Sequence, residues 1–139
     1  MTTGGCACGV LNYSFDSEPL VSALCHCNGC KRASSSDYTS NLIVPASAFH
    51  ITSGSAKAYT SKGGSGNDRS SHFCPECGTM LYVTSEAASE VVIVKAGTLD
   101  DLGLNETKYR PTVEIHCENK YSWLPDIEGA KRFDGAMGP

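Results

Sequence analysis

The chain contains no long apolar run, so nothing in it is suited to spanning a bilayer as a helix. Its start, Met1-Thr2-Thr3-Gly4-Gly5-Cys6, lacks the charged residues and apolar stretch of a secretory signal. It also lacks an excess of basic charge: 11 Lys and Arg stand against 15 Asp and Glu, a formal charge of -4. The only adjacent basic pairs are Lys31–Arg32 and Lys131–Arg132. A protein that tracks nucleic-acid phosphates needs a positive stripe, so no nucleic-acid partner is expected, although a local basic pocket for a small acidic ligand stays compatible. Leu-rich helical periodicity and repeated whole units are missing too. No membrane partner is expected, and the default compartment is a reducing one, the cytoplasm.

What the chain does have is cysteine, eight in 139 residues. In a reducing compartment these are expected as thiolates on metal or as buried thiols, not as a disulfide framework. The length suits one domain covering residues 1–139, and a hydrophobic fraction of 40% can supply its core.

Short runs that alternate or are rich in β-branched residues predict a mainly β protein. Leu11, Tyr13 and Phe15 recur at every second position, as on one face of a strand. Further strands are expected within 20–27, 38–44, 49–52, 57–61, 72–74, 80–84, 91–96 and 113–117. Turn signals at Ser53-Gly54-Ser55, Asn67-Asp68 and Ala96-Gly97 divide them. One or two helical turns are expected after Cys30 and after Thr98. The polar, Gly-rich stretch 61–71 reads as a mobile loop, a solvated connection or a lid, and the tail from Gly135 as frayed.

Seven cysteines fall in three clusters. Cys74-Pro75-Glu76-Cys77-Gly78 is a strong metal signal. Its two thiolates can reach one ion across a tight turn, with Pro75 presetting φ and Gly78 permitting the bend that follows. A redox reading of this pair would need a βαβ setting, whereas the flanks look like strands. In Cys6-Ala7-Cys8, an extended backbone would place both sulfurs on one side, and Gly4, Gly5 and Gly9 allow bending toward an ion. Cys6, Cys8, Cys74 and Cys77 thus make the four ligands of a closed structural zinc site, clipping the N-terminus to mid-chain.

Cys25, Cys27 and Cys30 remain. Three thiolates leave one corner of a zinc tetrahedron free, the mark of a catalytic site. His26, between the first two, is expected to pack away from the metal. A competing arrangement joins Cys27 and Cys30 with Cys74 and Cys77 as a zinc ribbon and strands the other three. Cys117, in a run read as a strand, is expected as a buried free thiol or as a further ligand. Tyr38, His72 and His116 are candidates by type for acid–base work. Trp123 and Phe133 are expected to pack the C-terminal segment.

Taken together, Gly4-Gly5-Cys6-x-Cys8-Gly9, Cys25-His26-Cys27-x-x-Cys30 and Phe73-Cys74-x-x-Cys77-Gly78 resemble the glutathione-dependent formaldehyde-activating enzyme family, which includes centromere protein V-like proteins. The resemblance extends through Asn41–Pro45, Ser65-Gly66-Asn67, Glu114–Trp123 and Glu128–Phe133, and looks closest to fungal members. It implies a β-tent fold of layered antiparallel sheets with two zinc ions. Cys6, Cys8, Cys74 and Cys77 would hold the structural zinc, and Cys25, Cys27 and Cys30 the catalytic one. It further implies carbon–sulfur lyase activity on the adduct of a thiol such as glutathione with formaldehyde or another small carbonyl compound. Where the family often carries Gly-Ser shortly after the triple cluster, this chain has Ser35-Ser36. A zinc-stabilised binding module and a role in natural-product biosynthesis are the alternative functions.

Overall fold

The computed structural model describes residues 1–64 and 66–137, so Ser65 of the polar stretch and Gly138-Pro139 of the tail lie outside the described residues. In chain order the strands are β1 (Thr2–Gly5), β2 (Asn12–Phe15), β3 (Val21–Cys25), β4 (Thr39–Pro45), β5 (Phe49–Ser53), β6 (Lys57–Lys62), β7 (Asp68–Phe73), β8 (Met80–Ser85), β9 (Val91–Lys95), β10 (Val113–Ile115) and β11 (Lys131–Arg132). A single α-helix among the described residues, α1 (Asn28–Ser34), follows β3, and short 3-10 turns cover Ala46–Ala48, Glu86–Ala88, Ala96–Thr98, Leu102–Glu106 and Cys117–Asn119.

These strands form a three-stranded sheet, β1-β2-β5, and an eight-stranded sheet, β11-β10-β3-β4-β9-β8-β7-β6. One core joins the two layers. Leu11, Tyr13 and Phe15 from the small-sheet side pack with Leu42, Val44, Leu81, Val92 and Val94 of the large sheet, all at most 6% exposed. The expected alternation at 11, 13 and 15 is therefore the buried stripe of β2 and the residue before it. Each such side chain contributes about 1.5–3 kcal/mol of burial. Tyr13 sits within this layer against Phe49, ring centroids 5.4 Å apart, and its hydroxyl bonds Thr98 Oγ1 at 2.8 Å.

The layered, mainly antiparallel β architecture is as expected, with β10 alone running parallel, to both β3 and β11, among the described strands. Other expectations need correction. The stretch 61–71 is not one loop. Lys57–Lys62 and Asp68–Phe73 form an antiparallel hairpin in register from Lys57↔Phe73 to Lys62↔Asp68. β6 is the exposed edge strand and β7 beside it is half-buried, so polar side chains do not oppose strand formation here. The run 113–117 leaves the strand after Ile115 because His116 takes the left-handed conformation, φ +56°. Gly135 O accepts from His116 N at 2.8 Å, which ties down the start of the tail. Trp123 does not pack inward; it is 66% exposed and stacks on Tyr121. Cys117 is half-buried, not part of the core.

Among the described residues no helix is long and apolar enough to cross a membrane.

Candidate metal centres

The first centre is built from two tight turns. Cys6-Ala7-Cys8-Gly9 is not extended, as an i, i+2 reading expects. Its backbone folds back so that Gly9 N donates to Cys6 O at 3.1 Å, with Gly9 at φ +81°. The second turn is Cys74–Gly78, where Gly78 N donates to Cys74 O at 2.8 Å and Gly78 sits at φ +79°. Both turns thus end on a glycine in the conformation that L side chains disfavour.

Together they bring Cys6, Cys8, Cys74 and Cys77 to within 4.8 Å of one another, sulfur to sulfur. A tetrahedral ion with bonds of about 2.3 Å needs sulfur–sulfur edges of about 3.8 Å. Cys6 and Cys8 stand 3.6 Å apart, and Cys8 and Cys74 3.8 Å. The set therefore fits zinc. Donors around Cys6 and Cys77 favour their thiolates, whereas at Cys8 the Val10 N–H is outweighed by the neighbouring sulfurs and burial, and the pKa is pushed up to about 12. Leu11 N–H, 3.3 Å from Cys6 Sγ, is the main cause of its lowered pKa. The Thr79 hydroxyl, followed by the backbone N–H groups of Thr79 and Cys8, brings Cys77 down to about 5.

The second centre is Cys25, Cys27 and Cys30, again with all sulfurs within 4.8 Å. Cys25 ends β3, and Cys27 caps the helix that carries Cys30, its sulfur accepting Cys30 N–H at 3.2 Å. Asn28-Gly29 thus opens α1, which begins before Cys30 and not, as expected, after it. Cys25 and Cys30 sulfurs are 3.2 Å apart. Their contact, with Cys27 second, holds the Cys30 pKa down, and Thr39 and Lys95 add to it. Cys25 is pushed up, chiefly by Cys27 and then by Cys30. Among the described residues no fourth His, Cys, Asp or Glu joins this group. Cys117 is not part of it, and Cys74 and Cys77 belong to the other centre, so the ribbon pairing is not the arrangement adopted.

His26 points away from the sulfurs, as expected, and is 1% exposed. Its Nε2–H donates to Glu114 Oε1 at 2.9 Å. Glu114 also accepts from Lys120 Nζ at 2.9 Å and from Ile127 N at 3.1 Å. This cluster fixes the backbone between Cys25 and Cys27 to β10 and to the C-terminal segment.

A cleft of about 940 Å³ opens beside the trio, lined by Cys27 and Cys30 on one side and by strands β6 to β9 on the other. Sheet register explains the strand wall. Lys95 pairs with Asn41 across β9 and β4; Val83 pairs with Ser71, and Ser85 with Arg69, across β8 and β7. Tyr59 and Ser61 of β6 pair with Ser71 and Arg69 in turn. Directly opposed residues share a sheet face, and Cys25, opposite Thr39 two residues before Asn41, lies on that same face.

Of the three acid–base candidates, His116 lines the cleft. His72 is on the other face, stacked on Tyr82 at 4.3 Å with its Nε2 on Thr84 Oγ1 at 2.8 Å. Burial holds its pKa below the ordinary histidine range. Tyr38 packs against the His26 ring at 5.6 Å. Sequence reasoning did not single out Lys95. It is 8% exposed at the cleft wall, bonds Asn41 Oδ1 at 2.7 Å, and has its pKa lowered by burial, with Cys30 pulling the other way. A lysine closing an otherwise β-branched run, Val91–Lys95, is the signal that could have marked it.

None of the curated proteins matches the sequence. A crystal structure of a Rhodobacter sphaeroides protein superposes with a TM-score of 0.57 at 19% identity, over 71% of this chain and 88% of that one, a likeness of fold. The model of the glutathione-dependent formaldehyde-activating enzyme family matches residues 1–119. That match includes all seven clustered cysteines, and the chain belongs to this family.

Proposed function

We propose that the chain catalyses formation or cleavage of the carbon–sulfur bond between a thiol such as glutathione and a small carbonyl compound. The observation that carries this reading is the three-sulfur group with no fourth protein ligand among the described residues, opening on a cleft large enough for a tripeptide-sized thiol. Zinc is the ion whose geometry and ligand preference suit both groups, structural at the four-cysteine set and, at the trio, a Lewis acid that keeps an incoming sulfur as thiolate at neutral pH.

The protein's own residues account for the rest. Cys25, Cys27 and Cys30 are held by a strand end, a helix cap and the helix itself, so the trio is set before substrate arrives. When the thiolate attacks the carbonyl carbon, the C=O electron pair moves to oxygen, which must take a proton. His116 lines the cleft, which supports it as the imidazole that delivers this proton and takes it back in the reverse direction. The β6–β7 hairpin and α1 line the cleft on two sides.

Exchange spectroscopy by NMR on glutathione and formaldehyde tests the reading. Zinc-loaded protein should accelerate interconversion of free thiol and hydroxymethyl adduct, and Cys27→Ser should abolish the acceleration. An unaccelerated exchange with fully loaded protein, across several small aldehydes, would sink it.

A further inference from the structure

Arg32, Lys62, Arg69 and Lys95 line the cleft, and among its described lining residues there is no carboxylate. This is a local inversion in a chain of formal charge -4. Lys62 is engaged by Asp68 at 2.6 Å, outside the cleft lining. Lys95, though buried, hydrogen-bonds a neutral amide oxygen, that of Asn41, and no described carboxylate pairs with it. Arg69 likewise has no carboxylate partner among the described residues. Both lie on the same sheet face as Cys25, with β8 between them.

Buried cations are ordinarily paired with an anion. The trio supplies part of that charge. Three thiolates and one divalent ion leave a single negative charge, which one cation offsets. Arg69 and Lys95 together exceed it, and each works against the charge of the other. A ligand carrying a carboxylate would relieve that repulsion and gain charge-assisted hydrogen bonds, in the Arg case with both nitrogens of a planar fork.

We infer that Arg69 and Lys95 form an anion subsite that selects a carboxylate-bearing thiol and seats it with its sulfur toward the trio. The inference rests on the proposed thiol chemistry and adds the residues that set substrate specificity. Arg69 is the outer anchor on β7. Lys95, held by Asn41, is the inner one.

Calorimetric titration of zinc-loaded protein with glutathione and with glutathione diethyl ester tests it, because the ester keeps the thiol and loses both carboxylates. The wild type should bind glutathione about tenfold or more tightly than the ester, by the strength of hydrogen bonds to charged groups. Arg69→Gln should remove most of that preference while its affinity for the ester stays close to wild type. Lys95→Met should do the same; should it fail to fold, Arg69→Gln, at a half-buried strand position, carries the test, with its melting temperature as control. Equal wild-type affinity for the two thiols, or equal loss of both in Arg69→Gln, overturns the subsite and leaves the thiol reading standing. Failure of the wild type to bind either thiol overturns the thiol reading and the subsite with it.

Discussion

His26 Nε2 lies 2.9 Å from Glu114 Oε1, and both side chains are 1% exposed. This contact links the backbone between Cys25 and Cys27 to β10, and Lys120 and Ile127 complete the carboxylate from a segment beyond the matched residues 1–119. The C-terminal segment is therefore a clamp on the support of the open trio.

Removing the carboxylate leaves Lys120, 9% exposed at its side chain, with Asp126 as its remaining partner and leaves the buried His26 Nε2–H without an acceptor. Breaking such a buried pair from one side costs about 3–5 kcal/mol. Glu114→Ala should lose that much stability in urea unfolding of the zinc-loaded protein. A loss below about 1 kcal/mol would show that the cluster does not hold the clamp.

The same carboxylate gives a pH dependence of known sign. Burial raises the Glu114 pKa, but hydrogen bonds from Lys120, His26 and Ile127 outweigh it and hold the value below the ordinary glutamate range. Its stabilisation is present above the unfolded value of about 4.3 and is lost as pH falls through the lower folded value. The stability gap between wild type and Glu114→Gln should shrink below about pH 4.3. Comparing the two variants cancels acid release of metal, which acts on both. A gap that persists undiminished into strong acid would contradict the assignment.

The two cysteine sets should respond differently to loss of one sulfur. Cys74 is 0% exposed in the core that joins both sheets, and its centre clips residues 6 and 8 to residues 74 and 77. Cys74→Ser should lose one zinc and unfold the protein, because structural zinc binding is part of the folding free energy. Cys27 is half-buried at the cleft. Cys27→Ser should lose one zinc of about two while circular dichroism and melting stay near wild type. Similar damage from both substitutions would refute the division of roles.

Ser35 ends α1 at φ +55°, its N–H and that of Ser36 both donating to Lys31 O. This is the left-handed cap that glycine fills without strain. Ser35→Gly should therefore raise stability by about 1 kcal/mol. Thermal melting checks it. A fall in melting temperature would mean that the serine side chain does more than tolerate the cap.

Much of this was legible along the chain. Alternation at Leu11, Tyr13 and Phe15 marks a buried strand, and cysteine spacing favours a set of four and a trio over the ribbon pairing. What was not legible depends on pairing between distant strands. Arg69 and Lys95 are 26 positions apart and face one cleft only through the β7-β8-β9 register. Glu114 reaches His26 because β10 lies parallel to β3, a pairing no local pattern encodes. The hairpin within 57–73 was hidden because its side chains are polar, and Cys6-Ala7-Cys8 was read as extended because i, i+2 spacing does not reveal a turn.

X-ray absorption at the zinc edge addresses the open trio most directly. Four sulfurs at one centre and three at the other average 3.5 per zinc in the resting protein. Adding glutathione should raise the mean to about 4, with bonds near 2.3 Å, and Cys27→Ser should show no such rise. A mean of 4 before any thiol is added, or no change after saturation, would contradict an open three-cysteine site.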